Sequence, residues 1–232
     1  MATLEAMYPV ADWTHGMTPF EVLISTVLSQ STTVVNERRG LDGLRERFGA
    51  ITPHRLAAAT GREIGEAIWH AGLARQKAPR IRAIARAALE RWDGHIERVF
   101  ERPTPLARES LMSLPGVGPK TADVVLAMSG GHATFPVDTH IARIARRWNL
   151  TRRADYEAIR AALERWTPPE KRKGWHLAII AHGRTLCKAR NPRCEDCPVR
   201  SDCDWYRRRR RAKIRPLTLR TARDKGLRSV RK

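Results

Sequence analysis

Apolar residues recur along this chain at helical spacing. Ile81, Ile84, Ala85, Ala88, Leu89 and Trp92 follow the i, i+3, i+4, i+7, i+8, i+11 stripe of an amphipathic helix. The same period predicts helices over residues 20–35, 122–128, 141–148, 154–166 and 175–187, punctuated by Gly49, Gly72, Pro103 and the pair Pro168-Pro169. Alternation of period two never lasts beyond a few residues. The pattern therefore predicts an all-α fold without paired strands.

Composition sharpens this in one respect. With 232 residues, 42% hydrophobic and 29% charged, the chain has ordinary material for one or two small cores. A formal net charge of +20 is not ordinary, and it points to nucleic acid or an anionic surface as the partner. Residues 207–232 carry thirteen Lys and Arg against the single acid Asp224. That segment opens with five arginines and has few apolar residues, so it is expected to be a disordered basic tail. The tail reads either as a tether to phosphates or as a solubilising extension. No apolar run approaches the roughly 18–20 residues of a membrane span, and the N-terminus lacks a secretory signal pattern. The expected location is intracellular and cytoplasmic, nucleoid-associated in a prokaryote, with no membrane partner.

The chain has four cysteines, Cys187, Cys194, Cys197 and Cys203, spaced C-x6-C-x2-C-x5-C. With no cysteine elsewhere to pair with, the run reads as a metal-ligand set rather than as disulfides. Four thiolates suit tetrahedral zinc as well as an iron-sulfur cluster. Zinc sites usually show two C-x2-C knuckles, whereas only Cys194 and Cys197 form one here.

Upstream, Leu114-Pro-Gly-Val-Gly-Pro-Lys-Thr-Ala122 sets Gly116 and Gly118 between apolar helical segments. Such a turn can aim bare N–H groups at one phosphate, or simply pack as a helix-turn-helix corner. Lys120 opens the following helix, where the positive end of the helix dipole and partial burial favour the neutral, nucleophilic amine. The competing role is a plain phosphate contact. Asp138, in Phe135-Pro-Val-Asp-Thr-His-Ile141, is placed as a helix N-cap. It is also a candidate to face Lys120 and stabilise charge developing on a sugar as a base departs.

Together, the glycine hairpin with its lysine, Val-Asp-Thr-His-Ile and the 6-2-5 cysteine run resemble the endonuclease III family of helix-hairpin-helix DNA glycosylases. The resemblance runs from about Pro19 to Tyr206. It implies two all-helical domains with DNA in the cleft between them: a six-helix barrel over residues 12–131, and a four-cysteine [4Fe-4S] domain over 1–11 and 132–206. It implies that Lys120 is the nucleophile and Asp138 the catalytic aspartate of a bifunctional glycosylase/AP lyase, which removes oxidised pyrimidines through a lysine Schiff base and cuts the strand by β-elimination. The cluster would then be structural or tune DNA affinity. By the same resemblance Gln30 and Leu73 match residues that fill the gap left by a flipped nucleotide. Leu114, Gly116, Gly118 and His140 fall on the DNA side. The implied partner is double-stranded DNA with damaged bases or abasic sites, bound by a monomer. Two rival readings are a monofunctional thymine or uracil mismatch glycosylase and a non-catalytic DNA-binding module with a redox-sensing cluster.

Departures from the family pattern carry expectations of their own. Thr33 stands where an acidic residue is usual, Pro119 where a basic one is frequent. Residues 1–13 look too short for the N-terminal helix that packs on the cluster domain.

Overall fold

A computed structural model describes residues 1–9 and 12–214, with side chains as far as Arg211. Among these residues the chain is helical without strands. Twelve α-helices follow in order: α1 (Ala2–Met7), α2 (Pro19–Leu28), α3 (Val34–Phe48), α4 (Pro53–Ala58), α5 (Gly61–Ala67), α6 (Ala74–Trp92), α7 (Thr104–Met112), α8 (Pro119–Met128), α9 (Thr139–Arg147), α10 (Tyr156–Trp166), α11 (Arg172–Thr185) and α12 (Asp204–Ile214).

Two hydrophobic cores form. The first gathers α2 to α8, from Phe20 and Leu23 to Val125 and Leu126. The second gathers Phe135, Val137, Ile141, Ile144, Ile159, Leu163 and Ile179 from the 133–138 loop, α9, α10 and α11. A small cluster of Val22, Val124, Ala127 and Met128, with Leu177 against it, lies between them. Helix α8 therefore buries every residue from Thr121 to Met128, because it has a core on each side. Its N-terminus, which carries Lys120, opens at the seam.

The seam is also held by polar contacts. Asp123 on α8 is fully buried, and its carboxylate accepts from Arg108 Nε (3.0 Å), Thr134 Oγ1 (3.0 Å) and the Tyr156 hydroxyl (2.7 Å). Tyr156 in turn accepts from the Val137 N–H, one residue before Asp138. Burial still pushes the Asp123 carboxyl up and the Tyr156 phenol well above its usual range.

Three expectations are corrected. The helix expected over 20–35 is two helices: the run Ser29-Gln-Ser-Thr-Thr33 is all small or polar, so it competes with the helical backbone, and Ser31 takes φ +54°. Thr33, at the end of this run, N-caps α3 by accepting from Asn36 N–H. The N-terminus, expected to be too short, forms α1, which packs on α11. Leu4 is fully buried, and the Tyr8 hydroxyl meets Thr185 Oγ1 at 2.8 Å. The basic tail expected from residue 207 is helical as far as Ile214. Trp205 lies between the guanidinium groups of Arg147 and Arg209, each 4.6 Å from its ring, and Arg208 pairs with Asp204 at 2.7 Å. The remainder of that expectation, residues 215–232, lies outside the described residues.

Candidate active site and cluster loop

The hairpin links α7 to α8. Leu114 and Val117 are buried in the first core, while Pro115 and Gly116 face solvent. Leu114 is thus an anchor rather than a DNA contact: its side chain is 2% exposed, its N–H bonds to Leu111 and its carbonyl accepts from Val117. Gly116 takes φ +71°, the left-handed region that glycine enters without strain. The N–H groups of Gly116 and Gly118 have no partner among the described residues, and Gly118 is the N-cap of α8. The turn thus presents donors backed by a helix N-terminus, the arrangement that receives a phosphate.

Lys120 occupies the first turn of α8 and is half-buried, with no hydrogen-bond partner among the described residues. Burial lowers its pKa, and so does the positive charge of Arg184; Asp138 and Glu37 act the other way. Ser25 on α2 holds Glu37 through a 2.6 Å hydrogen bond. Asp138 is the N-cap of α9, with Oδ1 accepting from Ile141 N–H at 2.8 Å. Its other oxygen has no partner among the described residues, so capping and a role toward Lys120 are geometrically compatible. The two N-termini converge because α8 and α9 bracket the seam.

His140, the second residue of α9, is packed against Gly183, and its Nδ1 accepts from Arg143 Nη2 at 3.1 Å. Gln30 lies in the loop after α2, and Leu73 is the left-handed residue (φ +52°) before α6, with 49% of its surface exposed. The two loops are neighbours: a Cβ on Gly72 would lie 4.0 Å from Thr32 Oγ1.

Two site residues escaped the reading of the chain. His176 on α11 is buried, and its Nδ1 lies 3.0 Å from the Pro136 carbonyl, which makes that nitrogen the N–H donor. Burial lowers its pKa to about 4, with Lys120 and Arg184 adding to the effect and Asp138 opposing it, so the ring is neutral and fixes the segment leading to Asp138. Lys77 on α6 is 2% exposed and donates to the carbonyls of Leu28 (2.7 Å) and Ala71 (2.9 Å), tying together the starts of the Gln30 and Leu73 loops. Its signal was a lysine four residues before Ile81, on the apolar stripe of α6.

The four cysteines are unpaired, and all line one cavity with Arg147, Trp148, His182 and Leu186. Arg147 Nη1 donates to Cys187 Sγ at 3.1 Å, and the same guanidinium binds the carbonyls of Lys188 and Ala189. No group of three His, Cys, Asp or Glu among the described residues is gathered tightly enough for one metal ion. Four thiols spread around one cavity fit a polynuclear cluster better than a single tetrahedral zinc.

Known proteins agree with this geometry. Residues 24–169 match the HhH-GPD superfamily base excision DNA repair protein model, and residues 187–203, bounded by the first and last cysteines, match the iron-sulfur binding domain of endonuclease III. Endonuclease III of Thermotoga maritima is 36% identical over 86% of this chain and 89% of its own length; that of Synechocystis is 34% identical over 86% and 88%. A trapped endonuclease III–DNA covalent intermediate superposes with TM-score 0.78 at 31% identity, covering 90% of this chain and 94% of that one. A thermostable thymine-DNA glycosylase, with TM-score 0.77 at 22% identity, shares the fold. The chain belongs to the endonuclease III family of base excision DNA repair proteins. It is a DNA glycosylase/AP lyase with a C-terminal iron-sulfur domain.

Proposed function

We propose that this enzyme excises oxidised pyrimidines from duplex DNA and cuts the resulting abasic strand, with Lys120 as nucleophile. The observation that carries this reading is the convergence at the seam: a half-buried lysine of lowered pKa, without a hydrogen-bond partner, in the field of a capping carboxylate. In it, the neutral Nζ of Lys120 attacks C1′ of the flipped nucleotide. The C–N bond to the base breaks, its electron pair leaving with the base, which takes up a proton. The sugar ring then opens to an imine on Lys120. Loss of a C2′ proton expels the 3′ phosphate. Asp138 stabilises the positive charge on the sugar as the base departs, and His176 holds the Pro136–Asp138 segment in place. The family name of the trapped DNA complex supports the covalent route.

On this reading Gln30 and Leu73 fill the vacated stack, and Gly116 and Gly118 grip a phosphate. Cys187, Cys194, Cys197 and Cys203 would hold the [4Fe-4S] cluster, which would tie together the two ends of the 187–203 loop just ahead of α12. The two cores support a division near residues 12–131, with 1–11 and 132–206 as the cluster domain. The working unit is a monomer acting on intracellular DNA.

Borohydride trapping tests the central claim. Duplexes carrying an oxidised pyrimidine or an abasic site, reduced during turnover, are expected to give a covalent adduct that is absent with Lys120→Ala. Base release without any adduct would place the enzyme in the monofunctional class.

A further inference from the structure

Tyr156 is the first residue of α10, at an N-terminus that Asp155 caps by accepting from Ala158 N–H at 2.9 Å. Its hydroxyl carries one proton, so its two contacts run in opposite senses. The Val137 N–H can only donate, at 3.3 Å, and the phenol proton therefore goes to Asp123 Oδ2, at 2.7 Å. Arg108 Nε and Thr134 Oγ1 hold the other oxygen of Asp123, each at 3.0 Å, which fixes the carboxylate toward Tyr156. The functional reading above gives this hydroxyl no task.

What lies at its two ends supplies one. Asp123 follows Lys120 by three residues on α8, within one helical turn and about 4.5 Å of rise. Val137 directly precedes Asp138, the cap of α9. The segment leading to Asp138 is anchored at three successive residues: the Phe135 N–H on Glu164 Oε1 (3.1 Å), the Pro136 carbonyl on His176 Nδ1 (3.0 Å) and the Val137 N–H on Tyr156. The last anchor, the one next to Asp138, continues through Asp123 to the helix that carries Lys120.

We propose that Tyr156 is a positioning residue for the reaction: by bonding Asp123 on one side and Val137 on the other, its hydroxyl sets the place of Asp138 relative to Lys120. This rests on the reading of Lys120 as nucleophile and Asp138 as catalytic aspartate. Without the hydroxyl, the segment is released at its last anchor before the carboxylate, and Asp138 withdraws from Lys120.

The test uses the whole enzyme with Tyr156→Phe, which keeps the ring against the second core and under the Arg108 guanidinium and removes only the hydroxyl. Thermal melts confirm that each variant folds. Single-turnover strand cleavage at an abasic site should fall about tenfold at its plateau, the scale of a small misplacement. Affinity for a duplex carrying a tetrahydrofuran abasic analogue should stay within about twofold, since the hydroxyl acts on the chemistry and not on binding.

The pH profile separates positioning from general loosening. Lys120 faces the carboxylates of Asp138 and Glu37, the guanidinium of Arg184 and the neutral ring of His176. A more distant Asp138 favours the protonated amine less, so the rising limb should move to lower pH, part of the way to that of Asp138→Asn. In an Asp138→Asn background, Tyr156→Phe should move the limb no further, because it acts through that carboxylate. Thr134→Val takes a donor from Asp123 but leaves both bonds of Tyr156, and should lower the melting temperature with the limb unmoved. An unmoved limb in Tyr156→Phe, an equal move in Thr134→Val, or a further move on top of Asp138→Asn would each overturn the proposal. If Asp138→Asn shifts the limb and Tyr156→Phe does not, the Tyr156 claim alone fails. If Asp138→Asn changes neither rate nor limb, the reading of Asp138 fails and takes this proposal with it.

Discussion

Two lysines of this protein, Lys77 and Lys120, sit near the starts of α6 and α8, and burial lowers the pKa of both. Lys77 is 2% exposed and satisfied by the carbonyls of Leu28 and Ala71. Lys120 is half-buried, keeps access to the seam, and has a carboxylate field in place of a hydrogen bond. On the proposed reading, the same side chain is thus a structural clasp in one place and a nucleophile in the other. Partners rather than burial make the difference. A buried ammonium that donates to two fixed carbonyls has nothing left to react with, and an amine without a partner is free to lose its proton and attack.

Exchanging the two lysines' roles breaks this contrast most sharply. Lys120→Ala should lower single-turnover strand cleavage at an abasic site by about 10³-fold or more, with the melting temperature nearly unchanged. Lys77→Met should do the reverse. It leaves two buried carbonyls without donors, at a cost of about 2–4 kcal/mol, or roughly 5–15 °C in melting temperature. Its chemistry per folded, DNA-saturated molecule should stay within a few-fold of wild type. If Lys77→Met abolished the borohydride adduct at full saturation, the division of labour would be wrong.

Asp138→Asn should lower the plateau rate by about 10²-fold, through loss of charge stabilisation on the sugar. It should also move the pH profile. Strand cleavage rises with pH as Lys120 loses its proton, and the Asp138 carboxylate favours the protonated amine. Removing that charge therefore shifts the rising limb to lower pH. Arg184→Ala removes a like charge and should shift the limb slightly to higher pH, the smallest effect of the set. Limbs that moved the opposite way would mean that these groups do not set the field at Lys120.

The cysteine loop offers a milder contrast with the seam. Cys203 is buried, whereas Cys187, Cys194 and Cys197 are half-exposed. Cys203→Ser is expected to reduce iron content and visible absorbance and to free α12, measured as faster amide exchange over residues 204–211. It should leave the core formed by α2 to α8 protected, since that core holds no cysteine.

Legibility followed the range of each interaction. The stripe of α6, the cap at Asp138, the hairpin glycines and the cysteine spacing are local, with every determinant within a few residues, and the chain states them directly. The break at residues 29–33 was also local, but apolar periodicity on both sides hid it. Helix α12 failed for another reason: a charge count from Arg207 onward cannot register Trp205 stacking on Arg147, some sixty positions away.

What the sequence determined by itself was the helical class, the ligand chemistry of the four cysteines and the motifs that carry the family, because these depend on side-chain type and short spacing. Only the tertiary structure decided that His176 is neutral beneath Asp138, that Leu114 anchors rather than contacts, and that Lys77 bridges loops far apart in the chain. Burial and hydrogen-bond partnership belong to the packed molecule. Until α6, α8 and α11 meet at the seam, a lysine or histidine has no environment to set its charge.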